Sequence, residues 1–191
     1  MKSIKGTKTE QNLLKSYAGE SQARNRYTYF ASTAKKEGYI LISQIFSETA
    51  DQEKEHAKRF FSFLEGGMVE ITASYPAGAL GSTKQNLEAS IAGEHGEWTE
   101  LYPEFARVAE EEGFHLIAAV YQAISIAEKR HEERYKNLLR KVRMGTSFKQ
   151  KQPVVWRCLN CGFIYEGAEA PLKCPACDHP QSYFEVFHEV V

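Results

Sequence analysis

Hydrophobic residues recur every three or four positions from about Thr9 to Met144, which is the spacing of one face of an α-helix. One long interruption, Gly66 to Ser82, contains four glycines and Pro76. Short breaks at Glu37-Gly38 and Glu112-Gly113 divide the segment on each side of that interruption. The pattern therefore predicts an all-α four-helix bundle, built from two antiparallel helix hairpins that one long crossover connects.

Pro103 falls inside the third helical pattern. Proline lacks the backbone N–H, and its ring crowds the preceding helical turn. We therefore expect a kink or a local backbone gap at this point rather than the end of the helix.

The two hairpins are similar to each other in sequence. Glu37-Gly38-Tyr39 corresponds to Glu112-Gly113-Phe114 at an offset of 75 positions. Upstream the offset becomes 74, where Ala18-Gly19-Glu20 corresponds to Ala92-Gly93-Glu94. This internal duplication predicts that the hairpins pack around a pseudo-twofold axis.

Ionisable side chains occupy the faces of the helices that ought to be apolar. Glu53 and His56 lie within the apolar stripe of the second helix, and Glu128 and His131 lie within that of the fourth. The first and third helices add carboxylates on their own apolar faces. The resulting candidate set is Glu20, Glu53, His56, Glu94, Glu97, Glu128 and His131.

A single Glu or His on such a stripe is usually a hydrogen-bonded core residue. Several buried carboxylates differ, because each ion costs several kcal/mol to desolvate and like charges repel. Bound cations, or protonation of most of the set, would remove this cost. Mixed carboxylate and imidazole ligands favour iron or manganese over calcium or structural zinc. A Glu from each of two helices with Glu-x-x-His from the other two is the ligand set of ferritin-like di-iron proteins.

Glu97 has no counterpart in the first hairpin, where Ala23 occupies the matching position. We interpret Glu97 as a seventh ligand, which either makes the metal pair asymmetric or binds in one oxidation state only; a solvated helix residue is the alternative. Tyr27 and Tyr102 lie two turns after the carboxylates of the first and third helices. They are candidates to hydrogen-bond those carboxylates, with plain core packing as the alternative.

The composition changes after Met144, and we divide the chain into a helical domain (1–146), a polar linker (147–155) and a small metal domain (156–191). Four cysteines in the last domain have the spacing C-x2-C-x12-C-x2-C, which favours one tetrahedral metal site over two disulfides. A domain this small needs the metal to fold, and either zinc or a single iron fits four thiolates. These cysteines are Cys158, Cys161, Cys174 and Cys177.

The chain has 191 residues, 42% hydrophobic and 26% charged, as in ordinary globular proteins. Its 24 Lys and Arg against 25 Asp and Glu give a formal net charge of -1, so no basic field favours nucleic acid or an anionic membrane. No stretch approaches the roughly 18 apolar residues of a membrane span, and the start lacks the apolar core of a signal peptide. We therefore predict a cytoplasmic protein without nucleic-acid or membrane partners.

Three segments carry a resemblance that covers essentially the whole chain: residues 18–24 (AGESQAR), residues 51–57 (DQEKEHA) and residues 158–167, which read C-x-x-C-G-F-x-Y-E-G. They are similar to motifs of the rubrerythrin family, a ferritin-like di-iron bundle followed by a β-rich rubredoxin-like domain. The resemblance implies two non-haem irons, oxo-bridged when oxidised, and one tetrathiolate iron on the four cysteines. It implies di-iron ligands at Glu20, Glu53, Glu94, Glu97, Glu128 and His131, with His56 and Glu97 exchanging on one iron between the reduced and oxidised states.

The resemblance also implies a homodimer that reduces hydrogen peroxide to water and protects against oxidative stress. Electrons would pass from rubredoxin or an NAD(P)H-dependent reductase through the tetrathiolate iron to the iron pair, giving an NADH-peroxidase-type activity. Glu128 precedes the end of the last helix by sixteen residues, so the tail begins about 24 Å from its own iron pair along the axis. A head-to-tail dimer would shorten this distance.

Two other functions use the same residues. A ferroxidase or iron store needs the bundle ligands but not the four-cysteine tail. A zinc-ribbon interaction module on a structural bundle predicts a colourless protein without redox activity. Colour and metal content separate these hypotheses from the peroxidase.

Overall fold

The computed structural model describes residues 2–188, which form a helical bundle followed by a small β-sheet domain. Among the helices of this range, none combines the length and the apolarity that crossing a membrane requires. The helices are α1 (Lys8–Lys36), α2 (Ile40–Phe61), α3 (Thr83–Gly96), α4 (Tyr102–Glu111) and α5 (His115–Met144), with a π-helical segment at Glu97–Leu101 and a 3₁₀ turn at Gln181–Tyr183. The strands are β1 (Lys149–Cys158), β2 (Ile164–Glu169) and β3 (Phe184–Val186).

The bundle has the predicted four-helix arrangement, because α3, the π segment and α4 follow one another without a break in helical backbone. α1 pairs with α2, and this composite third helix pairs with α5. The two short turns predicted from the sequence lie at Gly38 and Gly113, which have φ of 81° and 79°. Glycine adopts this left-handed conformation without steric cost, which explains why both hairpins turn there.

The irregularity expected near Pro103 is the π-helical segment. The backbone N–H of Tyr102 donates to the carbonyl of Glu97, five residues back instead of four. A π turn accommodates one extra residue in a helix. This explains why the repeat offset changes from 74 at Gly93 to 75 at Tyr102: the second hairpin contains one residue more than the first, and the π segment contains it.

Two aromatic clusters enclose the polar centre of the bundle, one on each side. The closest ring pairs are Phe46–Tyr135, with centroids 5.1 Å apart, and Phe60–Tyr121, with centroids 4.9 Å apart. Adding 75 to a residue number in one cluster, or subtracting it, gives the corresponding residue of the other cluster. Each cluster has three rings from one hairpin and a fourth ring from the other hairpin, so the two hairpins interlock. The clusters are Tyr27, Phe30, Phe46 and Tyr135, and Tyr102, Phe105, Tyr121 and Phe60.

The C-terminal domain is a three-stranded antiparallel sheet in the order β2-β1-β3. Trp156 on the central strand is fully buried and packs with Cys158, Cys174 and Phe184. The prediction of a linker at 147–155 was wrong for most of its length, because β1 already begins at Lys149. The pairing register is irregular between Lys149 and Val154, where proline in the strand removes a hydrogen-bond donor.

The small domain lies against the end of the bundle where α2 begins and α5 ends. The rings of Tyr39 and Phe148 stack there, 6.3 Å between centroids and 13° between planes. The shallow cavity between the domains is lined by Ile42 and Leu138 from the bundle and by Phe184 and Val186 from the sheet. The sheet domain is therefore held at the C-terminal end of α5, beyond Glu128 and His131.

The turn glycines supply a test of the fold. A Cβ at Gly113 meets no atom of residues 2–188 within 4 Å, so Gly113→Ala changes backbone strain alone. We expect this variant to lose about 1–2 kcal/mol of unfolding free energy. Gly19→Ala, inside α1, is the matched control and should gain about 0.5–1 kcal/mol. Denaturant unfolding of the iron-loaded protein measures both, and a Gly113→Ala protein as stable as the original would contradict the turn assignment.

Candidate metal centres

Two groups of potential ligands lie side by side in the middle of the bundle. In each group, one ligand atom from every member lies within 4.8 Å of the others. Glu53 and Glu128 belong to both groups, so their carboxylates lie between two cation positions. The first group is Glu20, Glu53, His56 and Glu128, and the second is Glu53, Glu94, Glu128 and His131.

Helical spacing explains how these side chains meet. Glu53 and His56 are three residues apart on α2, as are Glu128 and His131 on α5, so each pair projects from one face. α1 and α3 deliver Glu20 and Glu94 from the opposite side. All four carboxylates are at most 2% exposed, so these ionisable groups are inside the core.

Each histidine directs its Nδ1 atom at the shared carboxylates. His56 Nδ1 lies 2.9 Å from Glu53 Oε2 and 3.0 Å from Glu128 Oε1. His131 Nδ1 lies 3.2 Å from Glu53 Oε1 and 2.9 Å from Glu128 Oε2. On its other side, His131 Nε2 lies 2.9 Å from Gln52 Oε1, which can only accept. Gln52 therefore accepts from the Nε2–H of His131, which leaves Nδ1 to hold a metal ion or, without one, a proton that it donates to the carboxylates.

The buried atoms that face this centre fit metal ligands. A lone pair surrounded by carboxylate oxygens has only acceptors around it, so a cation or a proton must lie between them. Carboxylate oxygen with imidazole nitrogen is a donor set that suits iron. Five of the buried atoms that lack a hydrogen-bond partner belong to these two groups, namely Glu53 Oε1, Glu94 Oε2, both carboxylate oxygens of Glu128, and His131 Nδ1.

The pKa values show how strongly the centre opposes its own charge. Burial raises the pKa of Glu20 well above its ordinary value, and neighbouring carboxylates raise it further. Burial together with the charge of Glu53 raises the pKa of Glu94 to about 8. Burial also opposes ionisation of Glu53, but hydrogen bonds from His131 and His56 outweigh it and lower its pKa to about 2. Without cations, protons must therefore neutralise part of the set.

The two tyrosines predicted to contact the carboxylates do so, but each reaches across to the other hairpin. Tyr27 on α1 donates to Glu94 Oε1 on α3, and Tyr102 on α4 donates to Glu20 Oε1 on α1. Burial raises the pKa of both hydroxyls, so they remain protonated donors. The pseudo-twofold axis thus relates one tyrosine–carboxylate pair to the other.

Glu97 lies outside both groups of ligands. It is half-buried at the start of the π segment and lines a cavity of about 600 Å³ with Arg26, Gly93 and Tyr102. The crossover residues Thr72–Pro76 form another wall of this cavity. The structure therefore holds His56 near the carboxylates and Glu97 apart from them.

The structure also shows polar residues that the sequence analysis missed. Gln52 contacts His131, but its counterpart in the repeat is Ala127, so the duplication gives no signal for it. Glu132 is 3% exposed and accepts a hydrogen bond of 2.8 Å from Trp98 Nε1. Its position next to His131 was visible in the sequence, but its partner depends on how the third helix packs.

The four cysteines lie together as their spacing predicted. All four sulfur atoms lie within 4.8 Å of one another. The Cys158–Cys177 and Cys161–Cys174 sulfur pairs are each 3.7 Å apart, too far for a disulfide. A tetrahedron with metal–sulfur bonds of about 2.3 Å has edges of roughly 3.8 Å, which matches this separation. Cys161 is exposed, so one edge of the site reaches the surface.

Sequence and structure comparisons agree with this arrangement of two centres. A family model described as Rubrerythrin matches residues 11–139, and one described as Rubrerythrin, rubredoxin-like domain matches residues 156–185. The chain is 62% identical to a rubrerythrin of Porphyromonas gingivalis, with 96% of this chain and 92% of the relative covered. It is 56% identical to a rubrerythrin of Nitratidesulfovibrio vulgaris, with 97% of each covered.

A solved structure of nigerythrin in a partially reduced state shares the fold. It is 30% identical, covers 97% of this chain and 92% of its own, and superimposes with a TM-score of 0.65. The likeness thus extends over both domains. With matching models on the bundle and on the tail, the chain belongs to the rubrerythrin family, and its cofactors are a di-iron site and a tetrathiolate iron.

Proposed function

We propose that this protein, as a member of a family of oxidoreductases, is a peroxidase that reduces hydrogen peroxide to water. The observation that carries this proposal is the presence of two redox-capable centres of different chemistry in one chain. A carboxylate-rich pair buried in the bundle suits reaction with an oxidant, and a partly exposed tetrathiolate iron suits electron entry. We propose rubredoxin or an NAD(P)H-dependent reductase as the electron donor, and protection against oxidative stress as the role.

In this proposal, Glu20, His56 and the shared carboxylates hold one iron, and Glu94, His131 and the same carboxylates hold the other. The bound iron pair supplies the two electrons that convert one peroxide to two waters. The reaction also consumes two protons, which the protein has to deliver. The chain's own residues contribute ligand geometry, exclusion of water and proton supply.

Glu97 is placed to supply a proton. Burial, with the charges of Glu94 and Glu128, raises the pKa of its carboxyl group well above the ordinary value. A carboxyl group with a raised pKa is suited to general acid catalysis. Because Glu97 lines the cavity, it can give this proton to a substrate there, and the carboxylate that remains is an anionic ligand.

The exchange of His56 for Glu97 follows the charge at the centre. Oxidation adds positive charge, which a carboxylate balances better than a neutral imidazole does. His56 Nδ1 lies 3.8 Å from Glu20 Oε1 in addition to its two closer carboxylate contacts, which supports His56 as the ligand that would bind before oxidation. The tyrosine hydroxyls hold Glu20 and Glu94 in place while the exchange occurs.

We propose that the active form is a head-to-tail homodimer. Sixteen residues separate Glu128 from the end of α5 at Met144, which is about 24 Å of helix. The tail then packs at the α2 and α5 end of its own bundle. A second chain in the opposite direction would bring its tetrathiolate iron close to this iron pair.

Replacement of Glu97 tests the proton-supply step. We expect Glu97→Ala to slow peroxide oxidation of the reduced protein by about 100-fold or more, as for loss of a general acid. Glu100→Ala, an exposed residue of the same π segment, is the matched control and should react at the original rate. Stopped-flow absorbance with hydrogen peroxide measures both variants. Equal rates for the two would show that Glu97 takes no part.

Mixed dimers test the electron route. One chain carries Cys161→Ser and Cys174→Ser, and its partner carries Glu53→Ala and Glu128→Ala. Since each chain lacks one centre, we expect turnover from the mixed dimer alone, up to about half that of the original per dimer. Each homodimer of variants serves as a control. Absence of turnover in mixed dimers with confirmed metal content would favour transfer within one chain.

Without metal, the stability of the folded protein should decrease as the pH rises from 5 to 8. The pKa of Glu94 is about 8 in the folded protein and 4.5 ordinarily. Between these two pH values the folded state therefore keeps a proton that the unfolded chain has lost. The unfolding free energy of the metal-free protein should therefore fall from pH 5 to pH 8, on the order of a few kcal/mol. Hydrogen bonds to Glu128 and Glu53 raise the pKa of His56 to about 10, so above pH 6.5 this group also lowers the unfolding free energy as the pH rises.

Calorimetry of the metal-free and iron-loaded forms measures this effect. The loaded form should not lose stability over the same interval, because bound cations replace the protons. A melting temperature of the metal-free form that is constant or rises from pH 5 to pH 8 would contradict the assignment of a charge-crowded centre.

A further inference from the structure

A second polar cluster lies beside the iron ligands, around the buried carboxylate of Glu132. Glu132 is 3% exposed and follows His131 directly on α5. Trp98 Nε1 donates to its Oε2 at 2.8 Å, Lys136 Nζ lies 2.6 Å from its Oε1, and His95 Nδ1 lies 3.1 Å from the same oxygen. The proposed ligand exchange makes no use of this cluster.

The indole of Trp98 is held from several sides. Lys129 Nζ lies 5.2 Å from the ring centroid, and the His95 ring meets the indole edge-on with centroids 5.6 Å apart. Trp98 is the second residue of the π segment and follows Glu97 directly. One hydrogen bond therefore connects the ligand-bearing turn of α5 to the turn that carries Glu97.

The first hairpin provides an internal comparison. Ala57 stands at the position of Glu132 at the offset of 75, and Ala23 and Arg24 stand at the positions of Glu97 and Trp98 at the offset of 74. α1 runs as uninterrupted α-helix through this region. The π segment, Glu97 and the Trp–Glu contact thus occur together in one hairpin and are all missing from the matching region of the other, residues 23–57.

A π turn is less favourable than the α-helix on either side, so it persists where side-chain contacts hold it. Relaxation of the segment to α-helical register would rotate the residues on one side of it by about 100° relative to those on the other. Glu97 would then no longer face the cavity beside the carboxylates. The contact made by the next residue opposes this rotation.

We propose that Trp98 and Glu132 are positioning residues, whose hydrogen bond holds the π segment in the register that lets Glu97 reach the iron pair. The effect of this contact on the metal rests on the proposed function, in which Glu97 replaces His56 as a ligand. The register of the π segment can be measured independently of that exchange. Glu132 acts from the same helical turn as His131, so the register is set relative to a ligand that does not move.

Two variants remove the contact in different ways. Trp98→Phe removes the indole N–H and keeps an aromatic ring against Lys129. Glu132→Ala installs the residue of the first hairpin and remains informative if Trp98→Phe folds poorly. Glu132→Gln is the conservative rescue, because its amide oxygen still accepts from the indole. Lys136→Gln is the matched control, since it removes the ion pair and leaves the Trp98 contact.

Two readouts on the full-length, iron-loaded protein separate positioning from general stability. In hydrogen exchange, the amides of residues 97–101 should exchange about ten-fold faster in Trp98→Phe and Glu132→Ala, and within about two-fold of the original in Glu132→Gln and Lys136→Gln. In Mössbauer spectra of the oxidised protein, the bundle irons of the first two variants should shift toward the spectrum of Glu97→Ala.

The proposal is overturned if Trp98→Phe and Glu132→Ala only lower the melting temperature, with exchange at 97–101 and the Mössbauer spectrum unchanged. It is also overturned if Lys136→Gln accelerates exchange equally, because lost charge pairing would then explain the effect. If Glu97→Ala itself leaves the Mössbauer spectrum of the oxidised protein unchanged, the ligand exchange of the proposed function is wrong. The hydrogen-exchange rates of residues 97–101 then decide by themselves whether the Trp98–Glu132 contact sets the register of the π segment.

Discussion

The bundle depends on the balance of charge in one dry layer. Four carboxylates that are at most 2% exposed share a small volume with two imidazoles, between aromatic clusters that keep water away. Such a layer is unstable by itself, because desolvation and mutual repulsion both oppose ionisation. Cations resolve the conflict, and for this reason the polar centre and the metal centre are the same feature.

The duplication gives this layer its symmetry, and a single extra residue breaks it. Tyr27 and Tyr102 reach across to the carboxylate of the opposite hairpin, so the two halves support each other. The π segment adds one residue to the second hairpin only and carries Glu97 at its start. A symmetric scaffold is thus suited to hold two metals, and the inserted residue is suited to make one of them different.

The sequence predicted the helices, the turns at Gly38 and Gly113 and the clustering of every candidate ligand except Glu97, because helical periodicity and the repeat both report on them. It did not predict the contact of Gln52 with His131 or of Trp98 with Glu132, since these depend on which helices become neighbours. The linker assignment failed at Lys149 because polar composition is shared by loops and by strand residues whose side chains are exposed, as at the start of β1. The change in repeat offset from 74 to 75 showed that the second hairpin has one extra residue. The offset alone does not say whether that residue forms a π segment within a helix or lengthens a loop.

The two centres impose opposite requirements on their surroundings, and the architecture separates them accordingly. The carboxylate centre needs a dry interior, where unpaired charge is costly enough to enforce metal binding. The thiolate centre has an exposed edge, which Cys161 provides, and the proposed entry of electrons requires such an edge. A rigid helix of sixteen residues beyond Glu128 keeps them apart within one chain. For the proposed electron transfer, that separation favours a second chain as the route between the centres, because the helix that carries Glu128 and His131 also places the thiolate site of its own chain far from them.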